Sequence, residues 1–368
     1  MTSKICAIPF KEAFTNDRGG FRNCCDTDPQ LHSQPGETLI QWWTGKAMQD
    51  FRAKFGASLP TDCHRCELQE KVQGRSFRTA VNKTVNIDNL TVTWPSRWNI
   101  IFGNICNLAC WTCSEYASSV IEQHKRAIGI LPENFVNPQD QFKQNWPQLR
   151  ESILLSYKHH SEVTLTVLGG EPLFNHVVLD FLDDLIKLGL SQRTKLEFHT
   201  NATKYTANVD RLLTTGNWQY VCAFLSLDAV GNKAEWLRYG CRWQDIASNV
   251  AKFKRAVDYV EAQCILSVLN IGDLPALSKF CNAQDIPLKL TTLADPKFMS
   301  LSHWPNCASN IADRSALAKL GFEQYYDLIG TSADNGSIVQ LRKYIQQFDL
   351  IRTSLRSVDS KLANSIGI

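Results

Sequence analysis

The chain has 368 residues, 44% hydrophobic and 20% charged, a composition that excludes disorder as the default state. Its 39 basic and 36 acidic residues leave a net charge of +3, too little to argue for nucleic acid or an anionic membrane as partner. No apolar stretch is long enough to span a bilayer and Met1–Cys6 opens no signal peptide, so a cytoplasmic protein is expected, whose 13 cysteines are ligands or reduced core thiols rather than disulfides.

Residues 1–85 read as a small cysteine-rich domain. They carry Cys6, Cys24, Cys25, Cys63 and Cys66, with a turn at Arg18-Gly19-Gly20 and a helical stretch from Leu39 to Phe51. So small a segment lacks a self-sufficient core, and a metal centre would supply what is missing. Cys6, Cys24 (or Cys25), Cys63 and Cys66 make a complete four-thiol cage, which suits zinc as well as an iron–sulfur cluster. Residues 81–97 read as a linker with one strand candidate, Leu90 to Trp94.

From there the pattern alternates. Apolar, β-rich runs occur at 98–102, 163–168, 195–199, 221–227, 264–269 and 287–293. Helical stretches lie at 114–128, 176–189, 208–215, 244–260 and 274–284, the fourth with Ile246, Val250, Phe253, Val257 and Val260 on one face. This predicts an α/β fold, with a parallel sheet covered by helices over 95–295. Six such units suit a partial (β/α)6 TIM-like barrel better than a closed eight-fold one. Residues 129–150, with Pro132, Pro138 and Pro147, interrupt the rhythm as an insertion. Residues 296–368 form a C-terminal loop and helical extension, its last stripe running through Ile338, Leu341, Ile345, Phe348 and Leu355.

Active sites of such folds lie where the strands end. The first predicted strand leads into Cys106-Asn107-Leu108-Ala109-Cys110-Trp111-Thr112-Cys113. Three thiolates hold three irons of a four-iron cluster and leave the fourth iron open, whereas structural zinc takes four closed ligands. The nearest downstream alternatives, His124 and His159, are far off in sequence. The second strand ends in Gly169-Gly170-Glu171-Pro172, where two glycines allow close approach of a ligand and Glu171 can accept from an ammonium group. Asn201, Ser226, Asp228 and Asn270 follow the next strands. Together they suit a small, polar, zwitterionic ligand.

Cys106-x3-Cys110-x2-Cys113 followed by Gly169-Gly170-Glu171-Pro172 resembles the radical SAM (S-adenosylmethionine) superfamily over residues 95–295. The resemblance implies a partial six-fold barrel and a [4Fe–4S] cluster on those three cysteines, with S-adenosylmethionine on the open iron. It implies that Gly169, Gly170, Glu171 and Pro172 bind the methionyl end, that Asn201, Ser226 and Asp228 contact ribose and methionyl groups, and that Arg238 pairs with the carboxylate. The residue before the last cluster cysteine is commonly aromatic in that family and packs on adenine. Here it is Thr112, with Trp111 one place earlier.

The N-terminal segment, with Cys6, Gly19, Cys24, Arg52, Cys63-x2-Cys66, Glu70, Gly74, Ser76 and Arg78, resembles a twitch-type, SPASM-related module. That implies an auxiliary [4Fe–4S] cluster; aligned on Gly19 the module selects Cys24, and aligned on Gly20 it selects Cys25. By the same resemblance the chain is an oxidoreductase-type enzyme served by an electron donor such as flavodoxin or ferredoxin. The module points by analogy to a peptide or protein side chain as substrate. The alternatives are a small metabolite (sugar or nucleotide) and a non-enzymatic redox adaptor. Cys222, Cys264 and Cys281 read as core, Cys307 as a loop or core thiol, and Cys241 is unassigned. The loop Lys297–Trp304, the insertion and the N-terminal module are expected to border the substrate cavity.

Overall fold

The computed structural model describes residues 5–17, 19–34, 36–56, 58–87, 90–305, 311–331, 336–348 and 351–368. Cys307 lies outside them. The described strands are β1 (Glu12–Thr15), β2 (Phe21–Arg22), β3 (Arg97–Ile101), β4 (Ala109–Cys110), β5 (Val163–Leu168), β6 (Thr194–Thr200), β7 (Tyr220–Ser226), β8 (Arg238–Tyr239), β9 (Tyr259–Leu266) and β10 (Leu288–Thr292). The chain divides into two compact units. The first comprises Met1–Ile105, Val136–Phe198 and Gly216–Tyr220, the second Cys106–Phe135, His199–Thr215 and Val221–Ile368.

In the first unit β1, β3, β5 and β6 pair in parallel in that order, and β2 turns back antiparallel on β1. The apolar, β-branched run of β5 is buried along most of its length, as a strand covered on both faces must be. The helix His176–Lys187 starts where the Asn175 side chain accepts the Val177 N–H at 3.0 Å, and it buries Val178, Phe181, Leu182 and Leu185 as one stripe. In the second unit β7, β9 and β10 pair in parallel, and β4 and β8 form a short antiparallel ladder. The chain is therefore α/β, and each of the six expected apolar strands is present.

Several boundaries differ from expectation. The helix expected over 244–260 ends at Ala256, and Tyr259 already opens β9. Its stripe counted Val257 and Val260, but from Tyr259 burial alternates residue by residue, the period of a strand. Leu90–Trp94 forms no strand. Its polar groups are used elsewhere: Thr93 O accepts from Trp43 Nε1 at 2.8 Å, and Trp94 Nε1 donates to Ser152 O at 3.0 Å. A 22-residue helix, Pro138–His159, begins inside the proline-bearing insertion and runs past its expected end at 150. Asn137 caps it, Pro138 occupies the tolerated first position and Pro147 sits inside. Trp146, packed on Phe102 at 5.1 Å and Phe181 at 5.0 Å, holds the helix to the body at the point where Pro147 removes a hydrogen bond. Leu355 belongs to a separate short helix beyond Gly336–Phe348.

Among the described residues no helix is long and apolar enough to cross a membrane. Every described cysteine carries a free thiol.

Candidate functional site

In the second unit, the loop Cys106–Cys113 is fixed from several sides. The Cys106 N–H donates to Ser119 Oγ at 3.2 Å, Ser118 Oγ donates to Leu108 O at 2.5 Å, and Trp111 N donates to Leu237 O at 3.0 Å. The β4–β8 ladder sets Cys110 opposite Arg238. Asn107 reaches sideways: its Oδ1 accepts from Asn201 Nδ2 at 3.0 Å and its Nδ2 donates to Thr203 Oγ1 at 2.9 Å. Asn201 is thereby tied to the cysteine loop.

The three thiols feel one another. A hydrogen bond from Cys113 holds the Cys110 thiol below its usual range, against the effect of burial and with help from the Arg238 charge. Cys113 is raised by that same bond, by burial, and by the charges of Cys110 and Cys106. Arg238 lies with Nη1 4.0 Å from Cys110 Sγ and Nη2 2.7 Å from Asp228 Oδ2. Asp228 Oδ1 accepts from Ile265 N at 2.9 Å. Arg238 is buried rather than on a helix surface, and its Nε finds no hydrogen-bond partner among the described residues. Burial alone would loosen its proton, but Asp228 and the thiols hold it more firmly than usual. Ser226 closes β7 opposite Gln263 of β9.

Trp111 explains the departure at Thr112. Its ring is buried, stacked on Trp236 at 5.0 Å and edge-on to Phe348 at 5.7 Å. It is committed to the core under the C-terminal helix and is not free to cover an adenine. His124 does not approach as a ligand; its Nδ1 lies 3.5 Å from Arg352 Nη2.

In the first unit, β5 ends in Gly169 and Gly170, at φ +95° and +54°. A Cβ on Gly170 would lie 2.0 Å from the carbonyl oxygen of Ile105, the residue that precedes Cys106 in sequence. Glu171 N donates to that carbonyl at 2.8 Å. Glu171 is fully buried and its Oε1 accepts from Leu173 N at 3.1 Å, which sets the carboxylate on the short turn begun by Pro172. The glycines are required by close backbone approach, beyond what a tight turn demands.

The first unit also gathers Cys6, Cys24, Cys63 and Cys66 around one narrow cavity, with Phe51, Phe55 and Arg78. Cys24 is buried there, whereas Cys25 is outside the lining. Burial, then Cys24 and Cys66, pushes Cys63 up to about 12, and burial pushes Cys66 to about 12 as well. Four buried thiols that repel one another as thiolates are a donor set in need of positive charge. Among the described residues no group of three or more His, Cys, Asp or Glu closes on a single metal ion. Thiols arranged around a cavity suit a multi-iron cluster, whose irons are separate ligand points.

A brace explains the other N-terminal motif residues. Arg78 donates Nε to Glu70 Oε1 at 2.9 Å and Nη1 to Ile5 O at 2.8 Å, and Ser76 Oγ donates to Glu70 Oε1 at 2.6 Å. Gly74, at φ +69°, ends the helix His64–Gln73 so that the chain can return. Arg52 donates to Pro9 O at 2.7 Å and to Trp43 O at 2.6 Å. The bonds to Ile5 O and Pro9 O hold the backbone on either side of Cys6.

A separate cavity of about 590 Å³ lies in the same unit. Asn16 and Gln34 line it from the N-terminal segment, and Gln141, Gln144 and Asn145 from the helix Pro138–His159. Gln141 Oε1 is buried in it without a hydrogen-bond partner among the described residues.

No protein-family model matches the chain. No curated protein matches it. Solved structures do. One described as native anSMEcpe with bound AdoMet shares 15% identity at a TM-score of 0.42, over 69% of this chain and 66% of its own. Streptococcus suis SuiB bound to S-adenosylmethionine shares 16% at 0.37, over 80% and 52%. SuiB bound to precursor peptide SuiA shares 14% at 0.38, over 84% and 58%. The chain thus spans less than two thirds of each of them. Similarity of this order leaves function to the residues themselves.

Proposed function

We propose that the chain is a radical SAM enzyme in which Cys106, Cys110 and Cys113 hold a [4Fe–4S] cluster and S-adenosylmethionine takes the open iron. The observation that carries this reading is the loop itself. Three mutually interacting thiols stand on a rigid turn beside the buried cation Arg238. Cys106, Cys110 and Cys113 would hold the cluster, which when bound would supply the one-electron chemistry for reductive cleavage of S-adenosylmethionine and hydrogen abstraction from a substrate C–H.

The chain's own residues do the rest. Gly169 and Gly170 let the backbone reach the methionyl end, and Glu171 and Pro172 fix that turn, with Glu171 accepting from the ammonium group. Arg238 offers its free Nε to the carboxylate while Asp228 keeps it in place. Asn201 and Ser226 contact the ribose side. Cys6, Cys24, Cys63 and Cys66 hold an auxiliary [4Fe–4S] cluster. Residues 1–85, 95–295 and 296–368 act as auxiliary-cluster, barrel and C-terminal parts, and a flavodoxin- or ferredoxin-type donor supplies electrons in the cytoplasm.

The substrate class proposed is a peptide or protein side chain. The amide-lined cavity supports it, since Gln and Asn side chains offer the paired donors and acceptors that a peptide backbone presents.

The deciding experiment is anaerobic turnover of the reconstituted chain with dithionite, S-adenosylmethionine and deuterated candidate peptides. Deuterium in 5′-deoxyadenosine identifies the donor, and a fully loaded chain that releases no 5′-deoxyadenosine overturns the reading. Gly170→Ala is expected to weaken S-adenosylmethionine binding at least tenfold, about 1.4 kcal/mol, through clash and a strained φ. Equilibrium binding to the loaded protein checks this; an unchanged affinity would detach the turn from the ligand.

A further inference from the structure

In the second unit the side chain of Arg352 is buried, 7% exposed. Its guanidinium lies 4.4 Å from the centre of the Trp111 ring, 4.2 Å from Phe348 and 5.6 Å from Tyr239. Its Nε and Nη1 have no hydrogen-bond partner among the described residues. Nη2 meets His124 Nδ1 at 3.5 Å, and burial together with the Arg352 charge holds that imidazole below its ordinary pKa. Among the described residues, the groups whose charge favours the guanidinium are Tyr344, Cys110 and Tyr239, and no carboxylate is one of them.

The rings face the guanidinium but accept no hydrogen bond from Nε or Nη1, and buried donors without acceptors are costly. Among the described residues the arrangement is therefore incomplete. It asks for an anion close to Trp111. Trp111 stands between Cys110 and Cys113 in sequence, and the β4–β8 ladder that carries Cys110 also carries Tyr239, whose ring faces the guanidinium. Three thiolates around an oxidised four-iron core carry net negative charge, and reduction adds one more.

Resting on the proposed function, we infer that Arg352 is the buried counter-charge of the open-site cluster, a positioning residue that makes the reduced cluster easier to form. It touches neither substrate nor S-adenosylmethionine. It acts through the packed ring of Trp111 and the field in a dry interior, where a charge is weakly screened.

The test is an EPR-monitored redox titration of the reconstituted chain without substrate, together with iron analysis. Arg352→Met keeps the volume and removes the charge, and Arg352→Lys keeps the charge. The expected result is a more negative midpoint for the open-site cluster in R352M and a smaller shift in R352K. If R352M does not fold, R352Q against R352K supplies the same comparison. Equal midpoints in charged and neutral variants that hold the cluster overturn the inference and leave the proposed function standing. A wild-type chain that takes up no cluster at Cys106, Cys110 and Cys113 overturns both.

Discussion

Replacing Cys106, Cys110 and Cys113 by Ala is expected to lower bound iron from about eight to about four per chain and to abolish release of 5′-deoxyadenosine. The remaining iron belongs to the N-terminal thiols, which the substitution leaves untouched. Folding should survive, because the loop is also held by the β4–β8 ladder and by Ser118 and Ser119. Far-ultraviolet circular dichroism checks that separately from iron and nucleoside analysis. The converse variant, Cys63→Ala with Cys66→Ala, should keep about half the iron and still cleave S-adenosylmethionine without coupling it to product. Persistent cleavage by the triple variant would remove the catalytic assignment.

The second large effect is expected at the N-terminal brace. Arg78→Leu removes the guanidinium from Glu70 and from the Ile5 carbonyl, leaving only Ser76 on the one and Asn82 on the other. The side chain of Arg78 is 3% exposed and that of Glu70 is 16% exposed, so the loss should fall between that of a surface and a buried pair, about 2 kcal/mol. Because Ile5 adjoins Cys6, the auxiliary iron should be lost together with stability, and urea unfolding with iron analysis reads both. Glu70 gives the pH sign. Burial alone would raise it, but hydrogen bonds from Arg78 and Ser76 hold it below the usual carboxylate range. Its contribution is therefore present above the ordinary glutamate pKa and is lost as pH falls through the lowered value. Acid should weaken the wild-type module in that window, and R78L, which keeps only the Ser76 hydrogen bond, should show a smaller dependence.

The parts of the fold legible in the sequence were those with one dominant local signal. The apolar runs of β3, β5 and β6 and of β7, β9 and β10 stand out because each is buried by its own unit. β1 did not stand out: Glu12-Ala13-Phe14-Thr15 is four residues long, and its buried Glu12 is paired with Arg97 at 3.1 Å, a contact 85 positions away. Pro147 argued against the helix it occupies, since the packing of Trp146 that outweighs it comes from Phe102 and Phe181. In the site, cysteine spacing and the Gly-Gly-Glu-Pro turn were readable because both are local. The fate of Trp111 and the position of Arg352 were not, since they depend on a helix more than 200 residues further along.

The pairing of β1 with β3 has a consequence for synthesis. Residues 12–15 leave the ribosome long before residues 97–101, so the first strand waits without its neighbour while the intervening cysteines emerge. Non-local pairing of this kind slows folding. Removing the first 15 residues would uncover one side of β3, an open strand edge that recruits other chains. Amino-terminal truncation is therefore expected to produce aggregates rather than a soluble shortened chain, and light scattering of the truncated protein would register it.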